Sequence, residues 1–291
     1  MTDSLRSRST RKEFKRILAG LGRLPLFILA AIYSIPIYIL IVTSLKSPAQ
    51  SAKDPFGIIF APQFSNYVEA WQRSAGTGTA SLGQSLLMSG LITAGSVTLL
   101  IAVGSMAGYY LGRRKSRFST LVYLGFLAGI TIPLQLAVIP LYSFFDSLGL
   151  LGNPVAVAAF YAGFLSPFAT FLFTGFVRTL PDDFEEAARL DGCSWWQTYL
   201  LIILPLLRPV ISTVAILSAI AVWNDFFGQL VFLLGSGNET LPLTIYTFSS
   251  QYASQYNLMT AGLVIAILPI VLFYLILQRQ IVEGFSTGVK G

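Results

Sequence analysis

Long stretches with almost no charged residue dominate this sequence. The first, Leu24 to Leu45, has 22 residues, and a membrane-spanning helix needs about 20. Similar apolar runs follow at 84–111, 119–145, 154–177, 209–234 and 258–278. Only 11% of the 291 residues are charged, whereas a soluble domain averages about 25%, so the bilayer is the expected solvent. The pattern predicts an all-α polytopic membrane protein, with six transmembrane helices in residues 24–281, a basic arm (1–23) and a tail (282–291).

The basic residues fall almost entirely on one side of these predicted spans. Sixteen lie on the side of the two termini and three on the other side. Because cytoplasmic loops are enriched in Lys and Arg, both termini and the loop after the fourth span are predicted to face the cytoplasm. The sixteen are Arg6, Arg8, Arg11, Lys12, Lys15, Arg16, Arg23, Arg113, Arg114, Lys115, Arg117, Arg178, Arg189, Arg208, Arg279 and Lys290; the three are Lys46, Lys53 and Arg73.

The sequence lacks the residues that most catalytic sites need. It has no His, a single Cys (Cys193) and no G-x-x-x-x-G-K-[ST] phosphate loop, so we expect no catalytic site, no metal site and no cofactor in this chain. The net charge of +6 is explained by membrane orientation, and no nucleic-acid partner is expected. The alternative is a secondary transporter or channel for a small polar solute. Such a carrier needs carboxylates within its spans or an inverted repeat, and only Asp225 lies within a predicted span.

The charged segment between the fourth and fifth predicted spans carries helix-capping signals. Asp182 is a candidate N-cap, and Glu185, three residues on, would complete a capping box. Gly192 is placed to end this helix in the left-handed conformation. Ser194 and Gln197 then offer a second capping box. The sequence therefore predicts two short helices joined at Gly192.

The spacing in this loop, residues 180–205, resembles the EAA loop in the membrane subunits of ABC importers. The chain matches the pattern E-A-A-x3-G-x9-I-x-L-P at every fixed position. In that family the loop forms the coupling helix, which docks into a cleft on the ATPase subunit. The resemblance implies a type I importer permease fold, polar contacts from Glu186 to the ATPase, and a small docking surface at Ala187 and Ala188. The implied coupling residues are Glu186, Ala187, Ala188, Asp191, Gly192, Ile202, Leu204 and Pro205.

Three further segments are similar to segments of carbohydrate-type, maltose-permease-like subunits. The residues Asn66 to Trp71 resemble the N-Y-x-x-[AL]-[WF] segment that follows the first span. Trp223-Asn224-Asp225-Phe226 resembles W-N-[DE]-F, which makes Trp223, Asn224 and Asp225 candidate residues of the transport path. The C-terminus resembles the tail that reaches into the ATPase dimer interface in the shorter maltose-permease subunit. The implied ATPase contacts in this tail are Gly284, Gly288, Lys290 and Gly291.

Two roles remain open for Asp225. A carboxylate at bilayer depth costs about 2.5–3.5 kcal/mol on insertion scales, so it needs a partner. That partner is either a buried structural hydrogen bond or the hydroxyl groups of a sugar in the path.

The resemblance covers the whole chain and implies its function. The chain would be a permease subunit of an ATP-binding-cassette importer in the prokaryotic cytoplasmic membrane. It would form half of the path for a sugar, oligosaccharide or related polyol. The implied partners are a second permease subunit, two ATPase subunits that hold ATP and Mg, an extracytoplasmic solute-binding protein and the lipid bilayer. The chain would do no chemistry itself.

Overall fold

The computed structural model describes residues 24–54, 56–59, 61–72, 80–251 and 255–287. They fold into helices, with no β-strand in these ranges. The predicted basic arm (1–23) and the tail residues Gly288, Lys290 and Gly291 lie outside them. The chain divides into two compact units, one formed by residues 1–68 and 252–264, the other by 69–251 and 265–291.

The helices follow the apolar runs, with short helices in the connecting segments. A π-helical segment, Thr198–Ile203, lies between α9 and α10. In chain order the helices are α1 (Leu24–Ser44), α2 (Pro48–Lys53), α3 (Ser65–Gln72), α4 (Leu82–Arg113), α5 (Arg117–Ile130), α6 (Leu134–Ser147), α7 (Pro154–Val177), α8 (Asp183–Leu190), α9 (Trp195–Gln197), α10 (Leu204–Leu206), α11 (Arg208–Asn224), α12 (Phe227–Leu233), α13 (Leu241–Gln251) and α14 (Tyr256–Thr287).

Three of these helices, α1, α4 and α7, are each long and apolar enough to cross a membrane. Two bent pairs qualify only when taken together: α5 with α6, bent by 100°, and residues 195–206 with α11, bent by 72°. The described ranges thus hold three to five candidate spans, and the apolar part of α14, Tyr256–Leu272, is shorter. The predicted membrane character is confirmed, whereas the number of six spans stays a prediction.

The predicted third span, 119–145, consists of two helices and not of one continuous helix. Its first half, α5, ends at Ile130, and α6 begins at Leu134 directly after Pro133. Proline has no backbone N–H and disfavours the helical conformation in the residue before it. The apolar composition of this run carried no sign of the break, because both halves are equally hydrophobic.

The predicted fifth span, 209–234, is also interrupted. Its helix α11 ends at Asn224, and Asp225 has extended backbone (φ −68°, ψ 127°) before α12 begins. Asp225 therefore lies at a helix break and not inside a continuous span. Polar groups of a broken helix need partners away from water, and Gln229 supplies one by donating from Nε2 to the carbonyl of Val222 at 2.9 Å.

In the first unit, Asn66 joins separate parts of the chain. Its side chain is 3% exposed and donates to the carbonyl oxygens of Ser44 and Lys46, each at 2.8 Å. The amide of Asn257 donates in turn to Asn66 Oδ1 at 3.0 Å. Buried amides need such partners, so Asn66 holds the segment after α1 in place.

In the second unit, α4 packs closely against α7 along a row of glycines. A Cβ on Gly108 would lie 2.3 Å from Cβ of Phe173, and a Cβ on Gly112 would lie 2.7 Å from Val177. Gly104 precedes them by one further step of four residues and faces Ala169. Small residues spaced by four let two membrane helices approach closely, so the G-x-x-x-G pattern here sets the distance between α4 and α7.

Candidate coupling site and cavity

The helix α8 ends at Leu190, and Gly192 follows it in the left-handed conformation, as the sequence predicts. Gly192 has a φ of +80°, its N–H donates to the carbonyl of Arg189 at 3.1 Å, and the N–H of Cys193 donates to Ala188 at 2.9 Å. These two bonds form a Schellman motif, which satisfies the last carbonyl groups of the helix. No atom lies within 4 Å of a Cβ built on Gly192. The backbone conformation alone therefore requires glycine at this position.

The second predicted capping box is also confirmed. Ser194 N donates to Gln197 Oε1 at 2.7 Å, and Gln197 N donates to Ser194 Oγ at 3.4 Å. The π-helical segment follows, and the coupling candidates Ile202 and Leu204 are only half-buried there, whereas Ile203 between them is completely buried. Hereafter residues 183–206 are called the elbow.

The predicted capping box at the start of α8 is wrong. The side chain of Asp182 makes no cap hydrogen bond, and Glu185 pairs instead with Arg113 at the end of α4. Arg113 Nε donates to Glu185 Oε1 at 2.5 Å, and its Nη1 lies 2.8 Å from Asp182 Oδ1. The guanidinium also donates to the carbonyl oxygens of Leu180 at 2.9 Å and Pro181 at 3.3 Å. Arg113 therefore clamps the start of the elbow, because a carboxylate that is buried prefers a charged partner to a free backbone N–H.

Aromatic residues attach the second half of the elbow to the same helix. Tyr109 of α4 stacks on Trp195 and on Tyr199, with ring centroids 5.6 Å apart in both cases. One turn earlier, Ser105 Oγ lies 2.7 Å from the hydroxyl of Tyr199. Ser105, Tyr109 and Arg113 are spaced by four residues and so share one face of α4. This face holds the elbow, while the neighbouring glycine row holds α7.

The exposed side of α8 and its C-cap carry three of the eight predicted coupling residues. Glu186, Ala187 and Asp191 are exposed, and Leu190 is 89% exposed. Ala188 differs, because only 2% of it is exposed and it packs inside this chain. A partner docking on α8 would therefore meet Glu186, Ala187 and Leu190, with Ala188 supporting the helix from behind.

A cavity of about 600 Å³ opens between α4 and α11 in the second unit. The candidate path residues Trp223 and Asn224 line it, together with Gly90, Thr93, Ala94, Val97, Thr98, Ser212, Ala215, Ile216, Ala219, Ile220, Pro269 and Ile270. Thr93 Oγ1 is buried and has no hydrogen-bond partner among the described residues. Such a hydroxyl is a natural donor or acceptor for a polar ligand. The volume falls in the usual range of ligand pockets, about 300–1,000 Å³.

Asp225 does not line this cavity. Its Oδ2 accepts from the hydroxyl of Tyr161 at 2.6 Å and from the N–H of Gly228 at 2.9 Å. A Cβ on Gly228 would lie 2.7 Å from Asp225 Oδ2 and 2.9 Å from the Tyr161 oxygen. Only glycine therefore allows the backbone at position 228 to come this close to the Asp225–Tyr161 pair. Of the two roles left open by the sequence, these contacts favour the structural hydrogen bond.

A family model described as "Binding-protein-dependent transport system inner membrane component" matches residues 101–286 of the chain. This match includes the whole elbow and more than half of the sequence. The chain belongs to this family. This match, together with relatives that are sugar permeases, confirms the resemblance of the sequence to carbohydrate-uptake ABC permeases, and the alternative of a secondary carrier or channel falls away.

Curated relatives of this permease match it over nearly its full length. It is 35% identical to the melibiose/raffinose/stachyose import permease protein MelC of Bacillus subtilis (strain 168), over 98% of this chain and 100% of that protein. It is 34% identical to the probable starch degradation products transport system permease protein AmyC of Thermoanaerobacterium thermosulfurigenes, over 94% of this chain and 96% of that protein.

A solved structure has the same fold. The permease superposes with a TM-score of 0.75 and 21% identity on a chain of a bacterial ABC transporter that imports the acidic polysaccharide alginate. The match covers 91% of this chain and 96% of that chain.

Sequence analysis of this permease missed the residues that hold the elbow to α4. Ser105, Tyr109 and Arg113 lie in or beside an apolar run and at least 67 residues before their partners in the chain, so no local pattern joins them. The only sign in the sequence that these three residues act together is their spacing by four, next to a row of glycines with the same spacing. Glu239 was missed too: it is fully buried, and accepts from the N–H groups of Ala80 and Gly235, each at 2.9 Å.

Proposed function

We propose that this permease has six membrane spans and forms half of the path of an ABC importer for oligosaccharides. A second permease subunit would complete the path, and two ATPase subunits, which hold ATP and Mg, would dock on the elbows. An extracytoplasmic binding protein would deliver the sugar. Both termini and the elbow would face the cytoplasm, as the sixteen-to-three distribution of basic residues favours.

The observation that carries this proposal is that one helix serves both functional regions. The helix α4 lines the cavity with five of its residues from Gly90 to Thr98, and it holds the elbow with Ser105, Tyr109 and Arg113. Val97 and Arg113 are 16 residues apart, which is about 24 Å along the helix axis. A displacement of the elbow would therefore reach the cavity wall through a single continuous helix.

The glycine row extends this link to a second helix. Because α4 and α7 are in contact along Gly104, Gly108 and Gly112, a force on the elbow would move them together. The helix α7 also leads directly into the elbow through residues 178–182. Closely packed helices move as rigid bodies that slide or tilt, since packed interfaces are not continuously deformable. This supports a cycle in which ATPase closure tips α4 and α7 and opens the cavity alternately to the two sides.

An oligosaccharide fits the chemistry of the cavity wall. Thr93, Thr98, Ser212 and Asn224 supply hydroxyl and amide groups, and Trp223 supplies an aromatic face. Sugars use both features, hydrogen-bonding through hydroxyls and packing their apolar C–H faces on aromatic rings. The relatives named for raffinose-type sugars and for starch products suggest α-galactosides and maltodextrins as first substrates to test.

The test is uptake by vesicles that contain the whole complex, with labelled α-galactosides and maltodextrins offered in parallel. Wild type is compared with Glu186→Lys on the exposed side of α8. The control is Asp146→Lys, an equal charge reversal at an exposed acid near the end of α6. We expect ATP-dependent uptake that Glu186→Lys abolishes and Asp146→Lys retains. Uptake without ATP, or full uptake with Glu186→Lys, would show that the elbow does not couple transport to ATP hydrolysis.

A further inference from the structure

A second cavity lies beside the elbow and has a strongly basic wall. Its volume is about 1,200 Å³, and it is formed by the segment that joins α4 to α5 and by the segment that joins α7 to α8. Five cationic residues line it: Arg113, Arg114, Lys115, Arg117 and Arg178. Arg113 holds the elbow, but neither this role nor the sugar path accounts for the other four cations.

Four of these five charges are not neutralised within the described residues. Arg113 is paired with Asp182 and Glu185, and Asp182 is the one acid in the cavity wall. Arg114 hydrogen-bonds to the hydroxyl of Tyr110 at 3.1 Å, and Arg178 lies 4.8 Å from the ring of Tyr123, both of them uncharged partners. Lys115 and Arg117 make no ion pair in the described part of the chain. The cavity therefore has a net positive charge and attracts an anion.

The apolar residues around the cavity narrow the choice of anion. Leu121, which lines it, is 67% exposed, and Phe118 and Leu124 beside it on α5 are 70% and 53% exposed. The helix α5 belongs to one of the bent membrane-span candidates. A free phosphate would use only the basic wall, whereas a phospholipid would use both, its headgroup on the cations and its acyl chains along α5. Basic pockets at the cytoplasmic ends of membrane helices suit anionic headgroups.

We propose that this cavity is a binding site for an anionic phospholipid, with Lys115 and Arg117 as the principal headgroup contacts. The inference rests on the proposed orientation, which puts the cavity in the cytoplasmic leaflet. The bound lipid would lie against Leu180 and Pro181, in the segment that leads into the elbow. It would thus hold the connection between α7 and the elbow, and the lipid composition of the membrane would influence coupling.

The test is lipid retention measured by native mass spectrometry on the full chain in nanodiscs of phosphatidylcholine with a minority of phosphatidylglycerol. The variant is Arg117→Glu, and the control is Arg208→Glu, the same charge reversal at an exposed residue that does not line the cavity. Arg117 is the first residue of α5, where an acid favours the helix, so loss of the helix would not explain loss of lipid.

We expect wild type and Arg208→Glu to retain phosphatidylglycerol over phosphatidylcholine, and Arg117→Glu to lose about tenfold or more of that preference. Equal retention of both lipids, or an equal effect of the two variants, would overturn the proposal. So would displacement of the lipid by inorganic phosphate alone, which would mark a phosphate site. If the assembled complex with its ATPases excludes the lipid, the basic wall is a protein contact and the proposal fails. Lipid retention is measured without transport, so a failure of the uptake experiment would not change the interpretation of this result.

Discussion

Replacement of Arg113 by glutamine tests whether this single side chain holds the elbow to α4. The change leaves Glu185, whose side chain is 7% exposed, with only the exposed Arg189, at 3.8 Å, as a cationic partner. Removing one partner of a buried ion pair costs about 3–5 kcal/mol. The lower end applies here because Arg113 is 16% exposed, and the pair with Asp182, which is 68% exposed, adds little. We therefore expect the elbow to open more easily by about 3 kcal/mol.

The effect would be local rather than global, since the rest of α4 remains packed against α7. A change of about 3 kcal/mol lowers hydrogen-exchange protection about 100-fold. The assay is hydrogen–deuterium exchange on the peptide that covers α8. The control is Arg114→Gln, an exposed neighbour for which a change within about 0.5 kcal/mol is expected.

A second substitution separates charge from packing. In Arg113→Gln/Glu185→Gln the buried negative charge is gone, so we expect at least half of the lost protection to return. If Arg113→Gln exchanges no faster than Arg114→Gln, or if the double variant is no better than the single one, the clamp does not hold the elbow and the reasoning is refuted.

Three further expectations follow from single residues. Gly108→Ala should lower the melting temperature of the purified permease, because the added methyl group overpacks against α7 at a cost of about 2 kcal/mol or more. The control is Gly163→Ala, where the added methyl group meets open space, so the melting temperature should stay unchanged or rise slightly. Gly192→Ala should cost about 1–2 kcal/mol, because alanine is strained at the positive φ of this position, and it should reduce copurification of the ATPase. Full copurification would show that the turn at Gly192 does not contribute to the docking surface. Asp225→Asn should leave the stability unchanged, because the amide oxygen can accept the hydrogen bonds from both Tyr161 and Gly228. Asp225→Leu should lower the free energy of unfolding by about 1–3 kcal/mol in a denaturation assay, because it leaves the Tyr161 hydroxyl without a partner.

The features that could be predicted from sequence depend on neighbours within one or two helical turns. The left-handed turn at Gly192 and the capping box at Ser194 are of this kind, because their hydrogen bonds close within five residues. The apolar runs likewise indicate helices wherever they occur. Of the candidate coupling residues within α8, Glu186 and Ala187 are exposed and Ala188 is buried, because the burial of Ala188 depends on what packs behind the helix.

The features that could not be predicted depend on distant partners. Asp182 and Glu185 form a plausible capping box by spacing, yet Arg113, about 70 residues earlier, offers Glu185 a full positive charge. Pro133 is visible in the sequence as a residue that can kink a helix, whereas nothing in the apolar run indicates the break at Asp225. Tertiary partners such as Tyr161 make such a break tolerable inside an apolar layer. Whether a proline or an acid interrupts a membrane helix is decided by those partners, not by the run itself.

Because α4 both lines the cavity and holds the elbow, the number of residues between these two regions of the helix is constrained. Each residue of an α-helix turns the next by about 100°. One residue inserted between Val97 and Ser105 would therefore rotate the cavity wall by about 100° relative to the face that holds the elbow. The amino acids in that interval are open to replacement by others of similar size, but their number is not. A relative that transports a differently shaped sugar can replace single residues of the cavity wall. The angle around the helix axis between the cavity wall and the face that holds the elbow has to remain the same.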